Sequence, residues 1–158
     1  MRSSSILLPL FLLLLSACST SEEPTGINKE ASLPATFNLS EMGLKVITSS
    51  IYPKNETMST LYGNDIASAA FRNNNNSLPG EVIALVTWKQ KEDVHWFGAK
   101  IPAALQSVEM IKTKAGQANT IEIIYECLEG SKLILRNDTA GDTNRIHYIF
   151  AQKPSVMP

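Results

Sequence analysis

Histidine and cysteine, the commonest metal and redox ligands, are scarce in this 158-residue chain, which has two of each. No Cys-x-x-Cys or His-x-His spacing occurs, so the usual zinc sites have no ligand set. An excess of one charge is also missing. Fourteen basic residues against 15 acidic ones leave a net charge of −1, and no basic patch with interleaved aromatics is visible, which argues against a nucleic-acid partner. Ser59, Ser107 and Ser155 lack a Gly-x-Ser-x-Gly elbow, and there is no phosphate-binding glycine loop. Glu92-Asp93 form an acidic pair, but inside a charged Lys89–Asp93 turn. A general acid needs a buried or like-charged setting to keep its proton near neutrality, and a solvated turn is the opposite.

Long apolar runs are missing too, except at the N-terminus. There Arg2 precedes Ile6 to Leu15, followed by the small residues Ser16-Ala17-Cys18. About ten apolar residues span only ~15 Å as a helix, half the hydrocarbon thickness, so the pattern is a secretory leader and not a membrane span. Leu15-Ser16-Ala17-Cys18 resembles the bacterial lipobox, which implies cleavage before Cys18 and lipidation of that residue. Several acyl chains would hold the protein at a membrane where one would not. Ser19 in place of Asp resembles the pattern sorted onward to the outer membrane, facing the periplasm or the surface. The organisation expected is a lipoprotein signal peptide over 1–17, a lipidated flexible tether over 18–36, and one domain over 37–158. The tether expectation rests on a polar stretch carrying Pro24, Gly26 and Pro34 with no apolar period. The ~120 residues beyond it suffice for one core and are too few for two.

Within that domain, Val82 to Trp88 is β-branched, aromatic and apolar on both faces, which predicts a central strand. Further strands are expected at Leu44–Ser50, Thr57–Tyr62, Val94–Ile101 (stopped by Pro102), Val108–Thr113, Thr120–Leu128 and Lys132–Arg136. Asn64-Asp65 can cap a short helix with Ile66, Ala69 and Ala70 on one side, and Ile146, Ile149 and Phe150 mark a closing amphipathic helix. The fold class expected is α+β: a single domain, mainly antiparallel sheet, with two or three packed helices.

Tyr62-Gly63-Asn64-Asp65-Ile66-Ala67, Pro79-Gly80, Thr87-Trp88, the run Trp96 to Pro102 and the tail Ala151 to Pro158 together resemble the cytochrome P-460 family, most closely a lipoprotein branch. The resemblance covers Leu44 to the C-terminus and implies a periplasmic fold related to haem proteins of hydroxylamine and nitric oxide chemistry. Its haem is attached through Cys-x-x-Cys-His, which this chain lacks, so covalent haem of the c type is excluded. The family's proximal histidine and cross-linking lysine have no matching position.

Non-covalent haem, or another small ligand, is what the resemblance still allows, and it needs an axial ligand. His95 alternates with Phe97, Ala99 and Ile101, which places it on the apolar face of its expected strand, and His147 lies beside the apolar stripe of the closing helix. These two are the cofactor-binding candidates, although a lone histidine among aromatics is more often a core or rim residue. Cys127 falls on the apolar face of its strand with Ile121, Ile123 and Tyr125, where a cysteine is most often a small buried hydrophobe. Trp88, Trp96 and Phe97 are expected in the core or a pocket wall. A second reading is a non-enzymatic envelope lipoprotein presenting a surface around Trp96 to a protein partner. A second copy of the chain is a further partner the sequence leaves open, and no catalytic residue is assigned.

Overall fold

In the computed structural model, residues 26–74 and 77–155 are described. The expected leader and Cys18 lie outside them. Six strands form one antiparallel meander in the order β1 to β6: Lys45–Tyr52, Thr57–Gly63, Val82–Glu92, Lys100–Ala115, Ile121–Glu129 and Ile134–Leu135. Two helices, α1 (Asp65–Asn73) and α2 (Asp142–Phe150), complete the α+β fold. The apolar run from Val82 lies in β3, between β2 and β4, because only a strand covered on both faces can bury every side chain it carries. Ile83, Ala84, Leu85 and Val86 are all buried.

Alternation along β3 then divides the core in two. Ala84 and Val86 pack with Val108 and Met110 against Leu33, Phe37, Leu39 and Leu44, which belong to the chain upstream of the first strand. Ile83 and Leu85 pack on the other face with Leu61, Ile111, Ala67 of α1 and Ile149 of α2. Each fully buried Leu, Ile or Val contributes ~1.5–3 kcal/mol, so both coverings are needed to hold the sheet. Part of the expected tether is therefore structural. Trp88 donates Nε1–H to the carbonyl of Ala31 at 2.7 Å, Asn28 Nδ2 donates to the Pro102 carbonyl at 2.7 Å, and Glu30 meets Lys91 at 2.7 Å. Among the described residues, the docked chain begins upstream of residue 37, at Asn28.

Asn64 caps α1 as expected, accepting from the Ala67 amide at 3.0 Å while its Nδ2 donates to the Gly80 carbonyl at 2.8 Å. The helix face that packs carries Ala67, Ala70 and Phe71; Ile66 is exposed. Two alanines let the helix sit close to β2, a contact that larger side chains would prevent.

The largest departure from expectation is β4. Pro102 does not end it; the strand runs 16 residues, from Lys100 to Ala115, takes in the expected strand at Val108–Thr113 and keeps only Lys100 and Ile101 of the one expected at Val94–Ile101. At Pro102 the strand pairs only with β3, because β5 joins from Ser107 onward, and an edge position tolerates the missing N–H. The β3–β4 connection consequently falls at Asp93–Ala99, closed by the Asp93 amide on the Ala99 carbonyl at 3.0 Å, with Gly98 in the left-handed region at φ 77°. His95, Trp96 and Phe97 lie in this turn and not on a strand, so period-two alternation does not apply to them. His95 is exposed rather than on an apolar face, and Trp96 and Phe97 are exposed rather than core. Among the described residues, no helix is long and apolar enough to cross a membrane.

Candidate functional site

Strand register lays three rows of side chains across the helix-side face. Gly63, Ile83, Ile111 and Tyr125 form the first, Leu61, Leu85, Glu109 and Cys127 the second, and Ser59, Thr87, Ser107 and Glu129 the third. The face thus passes from apolar, under the helices, to a ladder of hydroxyls beyond them. Between Thr87–Ser107 and Trp88–Leu105, β4 carries one extra residue, Gln106, and this bulge turns both Gln106 and Ser107 toward the same side. Helix α2 covers only one end of the face. What it leaves uncovered is a cleft of ≈ 1010 Å³, with Tyr52 and Tyr148 on one wall and Ile134 to Arg136 on the other.

Glu109 is the key to the floor of this cleft. Its side chain is 3% exposed, and burying a carboxylate requires partners. Arg145 of α2 supplies two, with Nε to Oε1 at 2.9 Å and Nη2 to Oε2 at 2.5 Å, and the Tyr125 hydroxyl donates to Oε1 at 2.5 Å. Burial, and then the hydrogen bond to Glu109, push the Tyr125 hydroxyl far above the ordinary tyrosine range. The hydrogen bonds to Glu109 hold the Arg145 guanidinium firmly charged. The same guanidinium lies 4.7 Å from the ring centre of Tyr148, a cation–π contact. Tyr148 shares a short hydroxyl–hydroxyl bond with Tyr52, and burial, then this bond, pushes it up to about 12.

Arg136 forms the opposite wall, bonded to Asp142 at the start of α2 and 3.9 Å from Glu129. Its Nε is buried with no hydrogen-bond partner among the described residues. A buried donor without a partner is rare, and it is a group that a bound ligand would satisfy. Cys127 lines the cleft between these walls and is buried, with burial raising its thiol pKa. A neutral thiol is a poor nucleophile.

Neither candidate histidine reaches this place. His95 sits in the β3–β4 turn, its amide bonded to Asp93 Oδ1 at 2.7 Å, and His147 is on the exposed side of α2. The structure does not bring them together, nor into the cleft. The cleft lining holds no histidine, and the groups in it that could face an iron are the neutral Cys127 thiol, two tyrosine hydroxyls bonded to each other and the Glu129 carboxylate. This set does not fit the histidine-ligated haem that the sequence resemblance allows. Among the described residues, no cluster of three or more His, Cys, Asp or Glu side chains could hold a metal ion.

No family model matches the chain, and no curated protein is similar to it. The site must therefore be read from its own chemistry.

Sequence reasoning missed Glu109, Arg145, Tyr125, Tyr148, Tyr52 and Arg136. One signal was present. In Val108–Thr113, alternation places Glu109 on the same face as Ile111, and a carboxylate on the apolar face of a central strand announces a buried charge that must find a partner. The partner was not legible, because Arg145 lies on a helix whose docking angle no local pattern sets.

Proposed function

We propose that the chain is an exported lipoprotein, held at the cell envelope by acyl groups on Cys18, whose cytochrome P-460-like domain binds a small neutral ligand in the cleft above Glu109. The observation that carries the ligand reading is the cleft itself, ≈ 1010 Å³ at the open end of a sheet whose floor changes from leucine to hydroxyl within two rows. That volume is at the upper end of the range for small-molecule sites.

Its chemistry narrows the ligand. Ser59, Thr87 and Ser107 each offer one donor and two lone pairs, so the ladder suits a partner rich in hydroxyl or amide groups. The charges along the walls are largely paired, Arg145 with Glu109 and Arg136 with Asp142, which leaves little field to recruit a strongly charged molecule. The buried Arg136 Nε is an unused donor for an oxygen of the ligand. The lipobox-like Leu15–Cys18 and the resemblance from Leu44 onward support the envelope part of the reading.

Calorimetric titration of the full chain with chitobiose and with trehalose, two neutral probes rich in hydroxyl groups, tests the ligand. Saturable binding that weakens in Thr87→Val and Ser107→Val is the expected result. No saturable binding of either probe at millimolar concentration would remove the reading. Haemin binding with a Soret shift that vanishes in His95→Ala would replace it with a histidine-ligated haem.

A further inference from the structure

The β3–β4 turn leaves three large apolar side chains in solvent. Val94 is 87% exposed, Trp96 72% and Phe97 109%. The turn holding them is well tied: the Ala99 amide donates to the Trp96 carbonyl at 3.0 Å, in addition to the Asp93 bonds. Ordered backbone with outward aromatics is an expensive arrangement in water, since each exposed ring forgoes the gain of burial. Exposed apolar clusters of this kind mark a surface that meets something.

A second observation says what. The docked N-terminal segment runs toward this tip when followed backward along the chain. Ala31 lies at the level of Trp88, whereas Asn28 lies at the level of Pro102, which pairs with Gln90 nearer the turn. Ile27, the next residue upstream, is 69% exposed. Nine residues lie between Cys18 and Asn28, about ten Cα–Cα steps. A chain of that length spans at most ~35 Å even when fully extended. An acyl group on Cys18 therefore keeps the tip end of the sheet, and not the α1 end, close to the bilayer.

We infer that the Val94–Phe97 tip inserts into the interface of the membrane that anchors Cys18. Tryptophan beside phenylalanine suits that layer, where an indole keeps its N–H hydrated while its ring leaves water. Charge does not drive the contact. Lys91 is paired with Glu30 and Lys100 with Glu92, and Asp93 adds a negative group next to the tip, so contact follows apolar area and not anionic lipid. The sheet then stands with its β3–β4 end toward the lipid. This inference rests on the reading of Cys18 as the lipid anchor.

The test uses the full chain, exported, purified and reconstituted into vesicles of phosphatidylethanolamine and phosphatidylglycerol whose acyl chains carry bromine. The two tryptophans separate cleanly, because Trp88 is packed under the N-terminal segment. Trp96 emission is expected to shift to the blue and to be quenched by the brominated chains, equally at low and high salt. In Trp96→Phe, the remaining Trp88 emission is expected to stay unquenched. Mass spectrometry of the same preparation reports acylation of Cys18. Acylated protein whose Trp96 emission remains solvent-like and unquenched overturns the insertion and leaves the anchor standing. A Cys18 without acyl mass overturns the anchor and the insertion with it.

Discussion

Arg145 grips Glu109 with two nitrogens across 36 residues of chain, joining α2 to the middle of β4 at 2.9 and 2.5 Å. The two ends of this pair are unequally placed. The Glu109 side chain is 3% exposed and that of Arg145 40%. An uncompensated buried charge is what makes the loss of one partner expensive, so the two truncations should differ.

Arg145→Met leaves a buried carboxylate with only the Tyr125 hydroxyl, and it should lower stability by ~2–3 kcal/mol, below the full cost of breaking a buried pair because Arg145 is partly solvated. Glu109→Gln keeps an acceptor for Tyr125 and lets the guanidinium turn to water, so it should lower stability by only ~1 kcal/mol. Urea unfolding of both variants measures the difference. Equal losses would mean that the uncompensated Glu109 carboxylate is not what makes the loss of Arg145 costly.

Gly63 provides a packing test. A Cβ there would sit 2.6 Å from Ile47 Cδ1 and 3.0 Å from Ala67 Cβ, at the contact between β2 and α1. Gly63→Ala should lower stability by ~1–3 kcal/mol through overpacking. Ile47→Val removes the nearer methyl, so the double variant should be more stable than the sum of the single losses implies. Strict additivity in a thermal denaturation series would contradict this account.

Glu81 sets a pH dependence. It is 1% exposed, its Oε2 has no partner among the described residues, and burial raises its pKa above the ordinary glutamate value of 4.5. The folded state therefore holds the proton more tightly than the unfolded chain does. The resulting stability is complete below the unfolded value and is lost as pH rises through the folded one. Glu81→Gln, which cannot ionise, should change stability little at pH 4 and raise it relative to the parent at pH 7. Urea midpoints from pH 4 to 8 check the sign, and a variant less stable than the parent at pH 7 would refute it.

Much of the framework was legible in short stretches. Val82 to Trp88 as a buried strand, Asn64 as a helix cap, and Ile146, Ile149 and Phe150 as a helix stripe each depend on neighbours within a few residues. The errors share a different cause. Pro102 looked like a stop because its missing N–H is costly in a central strand, but its neighbours in the sheet are set by where β5 begins. Phe97 and His95 looked alternating because a turn and a strand share composition when the turn is aromatic.

By itself, the amino-acid order determined the buried strand from Val82, the Asn64 cap, the apolar stripe of the closing helix and which single carboxylate in β4 would be driven inward, because those choices follow from side-chain period and solvation over a few residues. Only the tertiary structure decided that Glu109 would meet Arg145, that the segment from Asn28 would cover one face of the sheet, and that Trp96 would stand in water. Those outcomes depend on strand register and on how α2 and the N-terminal segment dock, and docking minimises exposed apolar area summed over residues far apart in the chain.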